Sequence, residues 1–210
     1  MKQTRHYKLT DLTASQLQQI ARALTDGACA VLATDTVYGL ATGAFCEGTI
    51  RHICTLKNRP STQPFQLLLP DIDCAYELAE FSDPARRLAQ AYWPGALTLI
   101  LPPTPAGKPL LRGSVGLGLR VPNFAPLERL LKTVNGPLAC TSANLHGQNP
   151  ITTETELLAS FNGNVDFMLT AGTLSPVASS VVDFTQIPPR LLREGKITTI
   201  ELARTSGVSL

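Results

Sequence analysis

TASQLQQIARALTDGACAVLATDT, residues 13–36, carries the class of the fold. Over residues 13–26 the apolar side chains Leu17, Ile20, Ala21 and Leu24 recur at helical spacing, and Gly27 stops the run. ACAVLA (28–33) follows as a short, uniformly apolar segment of the kind a strand buried on both faces requires. A helix that hands over to a buried strand is the repeating unit of an α/β protein. The polar residues Thr34, Asp35 and Thr36 come directly after that strand, where α/β folds tend to place ligand contacts. A plain turn closed by Asx chemistry is the other reading of those three residues.

The same change of period repeats outward. Residues 47–57 place Ile50, Ile53, Cys54 and Lys57 on one helical face. FQLLLP (65–70) and ALTLIL (96–101) read as strands, the second apolar enough to be central. Between them, residues 71–92 predict two helices, the second opening at SDPARR with Pro84 in its first turn. Helices are also predicted over 124–135, stopped by Gly136, and over 198–207. A further helix runs to Phe161 from a capping box of Thr153 and Glu156. PLACT (137–141), VDFML, VVDF and RLLR complete the strands. With no internal repeat and no low-complexity linker, residues 1–210 predict one compact domain.

VGLGLRVP (115–122) is the most informative of the strands. Val115, Leu117, Leu119 and Val121 share one face, and Gly116, Gly118 and Arg120 share the other. Two glycines beside one arginine leave a nearly bare face that a ligand could approach closely. An edge strand or bulge with a solvated arginine fits the pattern equally.

Composition removes several classes. The formal net charge is +2, which gives no sign of a dominant polyanion partner. Five cysteines contain no C-x-x-C pair, against zinc ribbons and thioredoxin-type chemistry. The odd count, and an N-terminus (MKQTRHYKLTD) without an apolar h-region, predict reduced thiols in a cytoplasmic protein. No stretch reaches the ~20 apolar residues of a membrane helix. There is no G-x-x-x-x-G-K-[ST] loop, no dinucleotide fingerprint, no G-x-S-x-G elbow and no metal-ligand spacing. His6 and His52 lack a carboxylate at motif spacing, while His146 lies in a loop where a ligand or solvent could meet it.

LKNRPSTQPF (56–65) sets Lys57 and Arg59 one residue apart between a helix end and two prolines. Two cations so close either decorate a helix C-terminus or face an anion, a mobile point charge beside a planar fork. CTSAN (140–144) with Gly147 offers hydroxyls and an amide to a phosphate or ribose, and SPVASSVVD (175–183) with LLREGK (191–196) could close a pocket.

Taken in order, TDTVYGLA, KNRP, WPGALTLIL, GLRVP, TSANLHG, SSVVD and LLREG resemble the YrdC-like threonylcarbamoyl-AMP synthases across roughly residues 14–200. The resemblance implies a twisted mixed α/β sheet with flanking helices around a concave, basic cavity. It implies condensation of L-threonine, bicarbonate and ATP, with Mg2+ held by nucleotide and water rather than by a protein metal site. Pyrophosphate leaves, and a partner transferase carries the threonylcarbamoyl group to tRNA. Residue by residue, Lys57 and Arg59 would be catalytic, and Thr34, Thr36, Arg120 and Ser179 would hold threonine. Lys57, Ser61, Ser142, Asn144 and Arg193 would hold the nucleotide. The chain would be a short form without the C-terminal domain of longer members. It departs from the family's usual pattern at Ala33, at Ala178, at Gln63-Pro64-Phe65-Gln66 and at His146. A YciO-type paralogue that binds tRNA or double-stranded RNA without synthesis is the alternative. A carbamoyl-phosphate-handling domain, of the kind found inside hydrogenase-maturation carbamoyltransferases, is a third reading.

Overall fold

The computed structural model describes residues 3–60, 63–145 and 147–210. In chain order its elements are β1 (Arg5–Lys8), α1 (Ala14–Thr25), β2 (Ala30–Leu32), β3 (Gly39–Gly43), α2 (Glu47–Leu56), β4 (Gln66–Leu68), α3 (Ile72–Leu78), α4 (Asp83–Tyr92) and β5 (Leu97–Leu101). They continue with β6 (Leu117–Arg120), α5 (Ala125–Val134), β7 (Leu138–Ser142), α6 (Glu154–Phe161), β8 (Phe167–Thr170), β9 (Ser180–Asp183), β10 (Arg190–Arg193) and α7 (Thr199–Ser206). All ten strands belong to one sheet, in the order β1-β8-β2-β3-β7-β4-β6-β5-β9-β10. The sheet is mixed: β1 and β2 run parallel to β8, and β4 to β6, whereas β3 is antiparallel to both β2 and β7.

Local chemistry accounts for the helices. Thr13 caps α1 and exchanges hydrogen bonds with Gln16, a capping box that satisfies two otherwise orphaned donors. Leu17, Ile20, Ala21 and Leu24 are then buried, and α1 packs on α5, whose Leu127, Leu130, Leu131 and Val134 are likewise buried. α5 stops at Asn135 (φ 54°) rather than at the predicted Gly136. An asparagine tolerates the left-handed cap, so glycine is not needed there.

Two strands lack a clear sequence signal. β3, GLATG, has no strand assignment in the sequence reading, yet it is buried between β2 and β7. It is built from small residues because its neighbours leave no room: a Cβ on Gly39 would lie 2.5 Å from the Cys140 sulfur. β1, RHYK, is a polar edge strand whose Arg5 guanidinium sits 4.2 Å from the centre of the Phe167 ring.

β6 lies between β4 and β5, inside the sheet, so the edge-strand reading of VGLGLRVP fails. Leu117, Leu119 and Val121 enter the core as predicted. Val115 precedes the strand and is 78% exposed. Among the described residues no helix is long and apolar enough to cross a membrane.

Candidate functional site

One register row crosses the sheet face as Cys140 on β7, Gln66 on β4, Gly118 on β6 and Ile100 on β5. This row floors a cavity of about 200 Å³ that opens to solvent. The two glycines predicted to bare this face differ. A Cβ on Gly116 would lie 2.4 Å from Thr185 Cγ2 and 3.0 Å from Leu101 O, so Gly116 is small because the sheet packs tightly around it. A Cβ on Gly118 would meet nothing nearer than 3.7 Å, so a side chain there would enter the cavity itself.

Strand ends supply the polar walls. Thr34 and Thr36, just after β2, hydrogen-bond each other at 3.0 Å, and Thr34 Oγ1 donates to Val37 O at 2.7 Å. Arg120, only 2% exposed, holds this turn in place. Its Nη1 donates to Thr36 Oγ1 at 2.9 Å, Nη2 to Asp35 Oδ1 at 2.5 Å, and Nε to Gly95 O at 3.1 Å. Burial lowers the Arg120 pKa and Asp35 offsets part of that effect. Lys196 donates to the Asp35 carbonyl and so ties the segment after β10 to the same turn. Opposite, Arg193 donates from Nε to Ser179 O at 2.9 Å and from Nη2 to Ser179 Oγ at 3.1 Å.

The structure distributes the predicted residues unequally. Thr34, Thr36, Arg120, Ser142, Ser179 and Arg193 all line the cavity. Lys57, Arg59 and Asn144 do not. Lys57 is 2% exposed, and its ammonium donates to the carbonyls of Ser142 and Asn144 and, at 3.4 Å, to Asn144 Oδ1. Asn144 Nδ2 closes its own loop through Leu145 O (2.8 Å) and Gln148 O (2.7 Å). The K-x-R and S-x-N segments therefore form a clip behind the rim. Burial, reinforced by Arg59, brings the Lys57 ammonium down to about 8. Arg59 bonds Thr141 Oγ1 and Pro64 O, lies 5.0 Å from the Phe65 ring centre, and leaves its buried Nε without a partner among the described residues. Ser61 and His146 lie outside the described residues.

Three residues that sequence reasoning passed over belong to the site. Gln66 and Thr98 line the cavity and bond each other at 3.1 Å. The available signal was a polar residue inside each of the apolar runs FQLLLP and ALTLIL. Tyr38, wholly buried, donates to Gly172 O and accepts from Ala171 N, which braces the wall from behind. The cavity is thus cationic: Arg120 and Arg193 border it, Arg59 and Lys57 stand behind its rim, and Asp35 is already paired. Among the described residues no three His, Cys, Asp or Glu side chains are grouped to hold a metal. Such a site can fix a small anionic ligand by its carboxylate and oppose negative charge that develops at the rim.

The family Sua5_yciO_yrdC, described as Telomere recombination, matches residues 22–195. A putative threonylcarbamoyl-AMP synthase of Mycobacterium tuberculosis is 33% identical over 89% of this chain and 87% of its own length. A threonylcarbamoyl-AMP synthase of Pyrococcus abyssi is 30% identical over 88% of this chain, which spans 55% of that protein. The crystal structure of P. abyssi Sua5 complexed with L-threonine superposes with a TM-score of 0.85 at 26% identity, covering 98% of this chain and 60% of that one. Escherichia coli YciO shares the fold, with a TM-score of 0.85 at 24% identity over 96% of this chain and 99% of its own.

Proposed function

The chain belongs to the Sua5–YciO–YrdC family, and from that premise we propose that it condenses L-threonine, bicarbonate and ATP into threonylcarbamoyl-AMP and pyrophosphate. The product would feed a transferase that modifies tRNA in the cytoplasm. The observation that carries this reading is the bare, cation-bordered cavity beside the Thr34–Thr36 turn. The solved relative that holds L-threonine supports it.

In this reading the threonine amine adds to bicarbonate, water leaves, and a carbamate remains. A carbamate oxygen then attacks the α-phosphorus of ATP. The bond from that phosphorus to the bridging oxygen breaks, and the electron pair leaves with pyrophosphate. Such a reaction asks for positioning and electrostatics more than for a strong base. Thr34, Thr36, Arg120 and Ser179 surround the amino acid, and Ser142 and Arg193 meet the nucleotide where the cavity opens. Lys57 and Asn144 act through the loop they clip together, and Arg59 opposes the negative charge of the phosphates. Mg2+ bound to the triphosphate would shield its charge.

Pyrophosphate release from ATP by the purified chain is expected to require L-threonine and bicarbonate together. Release that ignores either substrate, or nucleotide binding without release, would overturn the proposal. Gly118→Leu offers a steric check. The backbone accepts a side chain there, so melting should stay near wild type, while threonine affinity falls at least about tenfold as the cavity floor fills. Unchanged affinity would place the amino acid elsewhere.

A further inference from the structure

The cavity contains a chain of hydrogen bonds whose proton order is fixed by counting donors. Thr98 Oγ1 donates its only proton to Gln66 Oε1 at 3.1 Å. In the 3.0 Å bond between Thr98 Oγ1 and Ser179 Oγ, the proton must therefore come from Ser179. Arg193 Nη2, which can only donate, reaches Ser179 Oγ at 3.1 Å from the other side. At the far end Gln66 lies opposite Cys140 in the sheet register, and its amide carbonyl is the atom that faces Thr98. Cys140 Sγ contacts Thr141 O at 3.8 Å and is buried, so the thiol stays neutral.

Ser179 and Thr98 have thus spent both hydroxyl protons within the wall. Toward the cavity they present lone pairs only. A carboxylate placed against them would be repelled, and a ligand group that donates a hydrogen bond would be held. An ammonium is disfavoured as that donor because the Arg193 guanidinium stands beside the same oxygen. A neutral hydroxyl meets both conditions.

We propose that Gln66 is a positioning residue for substrate selection: acting through Thr98, it turns the Ser179 oxygen into an acceptor that takes the side-chain hydroxyl of the amino acid. This rests on the synthase reading above. Without the Gln66 carbonyl, the Thr98 proton is free to rotate toward Ser179, and the wall then presents a mixture of donors and acceptors. Glutamate at position 66 would keep an acceptor facing Thr98 and so keep the order.

The test compares L-threonine with L-valine, which has the same shape without the hydroxyl, by calorimetric binding and by pyrophosphate release. Wild type is expected to prefer threonine by about a hundredfold or more, as sites built to bond a hydroxyl do. Gln66→Leu should reduce that preference at least about tenfold, through a higher KM for threonine with little change for valine. Gln66→Glu should restore it, and Thr98→Val should reproduce the Gln66→Leu result. Melting curves identify any variant that does not fold. A folded Gln66→Leu protein with the wild-type preference overturns the inference and leaves the synthase reading standing. So does a preference lost equally in Gln66→Leu and Gln66→Glu. Wild type that neither binds threonine nor needs it for pyrophosphate release removes the reading and the inference together.

Discussion

Arg120→Met is expected to lower folding stability by about 3–5 kcal/mol and to abolish threonine-dependent pyrophosphate release. Arg120 is 2% exposed and its acidic partner, Asp35, is 12% exposed at the side chain, so methionine would leave that carboxylate without its salt-bridge partner. Thr36 Oγ1 and Gly95 O would lose their donors in the same change. For a chain of this size the loss corresponds to a melting temperature lower by roughly 10 °C. The double variant Arg120→Met with Asp35→Asn separates two roles. A buried ion pair replaced as a unit is often close to neutral, so most of the stability should return in a urea titration. Activity should not return, because the turn carrying Thr34 and Thr36 has lost the group that fixes it. A double variant that regains both would reduce Arg120 to a stabilising residue.

The second large effect is expected at Lys57. Lys57→Met removes the donor shared by the carbonyls of Ser142 and Asn144; the buried Asn144 carbonyl loses its donor at about 1–3 kcal/mol, while Ser142 O keeps the Asn144 amide. The loop carrying Ser142 shifts, and a displacement of about 1 Å at a reacting centre costs on the order of a hundredfold in rate. Lys57→Arg keeps the charge but cannot place a single nitrogen among three acceptors, so it should rescue only part of the rate. The pH dependence carries its own sign. The free protein's Lys57 titrates near 8, below the ordinary lysine value, because of burial and Arg59. A bound polyanion raises that pKa, so nucleotide binding takes up a proton between the free and bound values. ATP affinity should therefore fall as pH rises above about 8, by up to about tenfold per unit. Lys57→Arg should lack this decline. A wild-type affinity that stays flat from neutral pH to well above 8 would remove Lys57 from the site's electrostatics.

What could be read from the sequence divides along physical lines. α1 and α5 were legible because each buries one stripe of a helix, and period alone reveals a stripe. β6 was legible because Leu117 and Leu119 alternate with Gly118 and Arg120, and both faces have a use. β3 was not, since a strand pressed between two neighbours and made of Gly39, Ala41 and Gly43 carries neither alternation nor an apolar run. Resemblance alone brought Lys57 and Asn144 together. Their mutual contact, which turns both away from the cavity, depends on backbone carbonyls that a list of side chains does not show. Gln66 and Thr98 were overlooked for a related reason, because their partners come from strands far apart in the chain.

The strand order also sets a timetable for synthesis. β8 lies between β1 and β2, and Thr4 already bonds Val165 O across 161 residues. At ribosomal rates of about 5–20 residues per second, the first two strands wait roughly 8–30 s for the segment that joins them. Throughout that interval the apolar β2 has one edge without a partner, a surface on which nascent chains can associate. The N-terminal end of the sheet is therefore among the last parts of the molecule to become native, although it is the first to leave the ribosome.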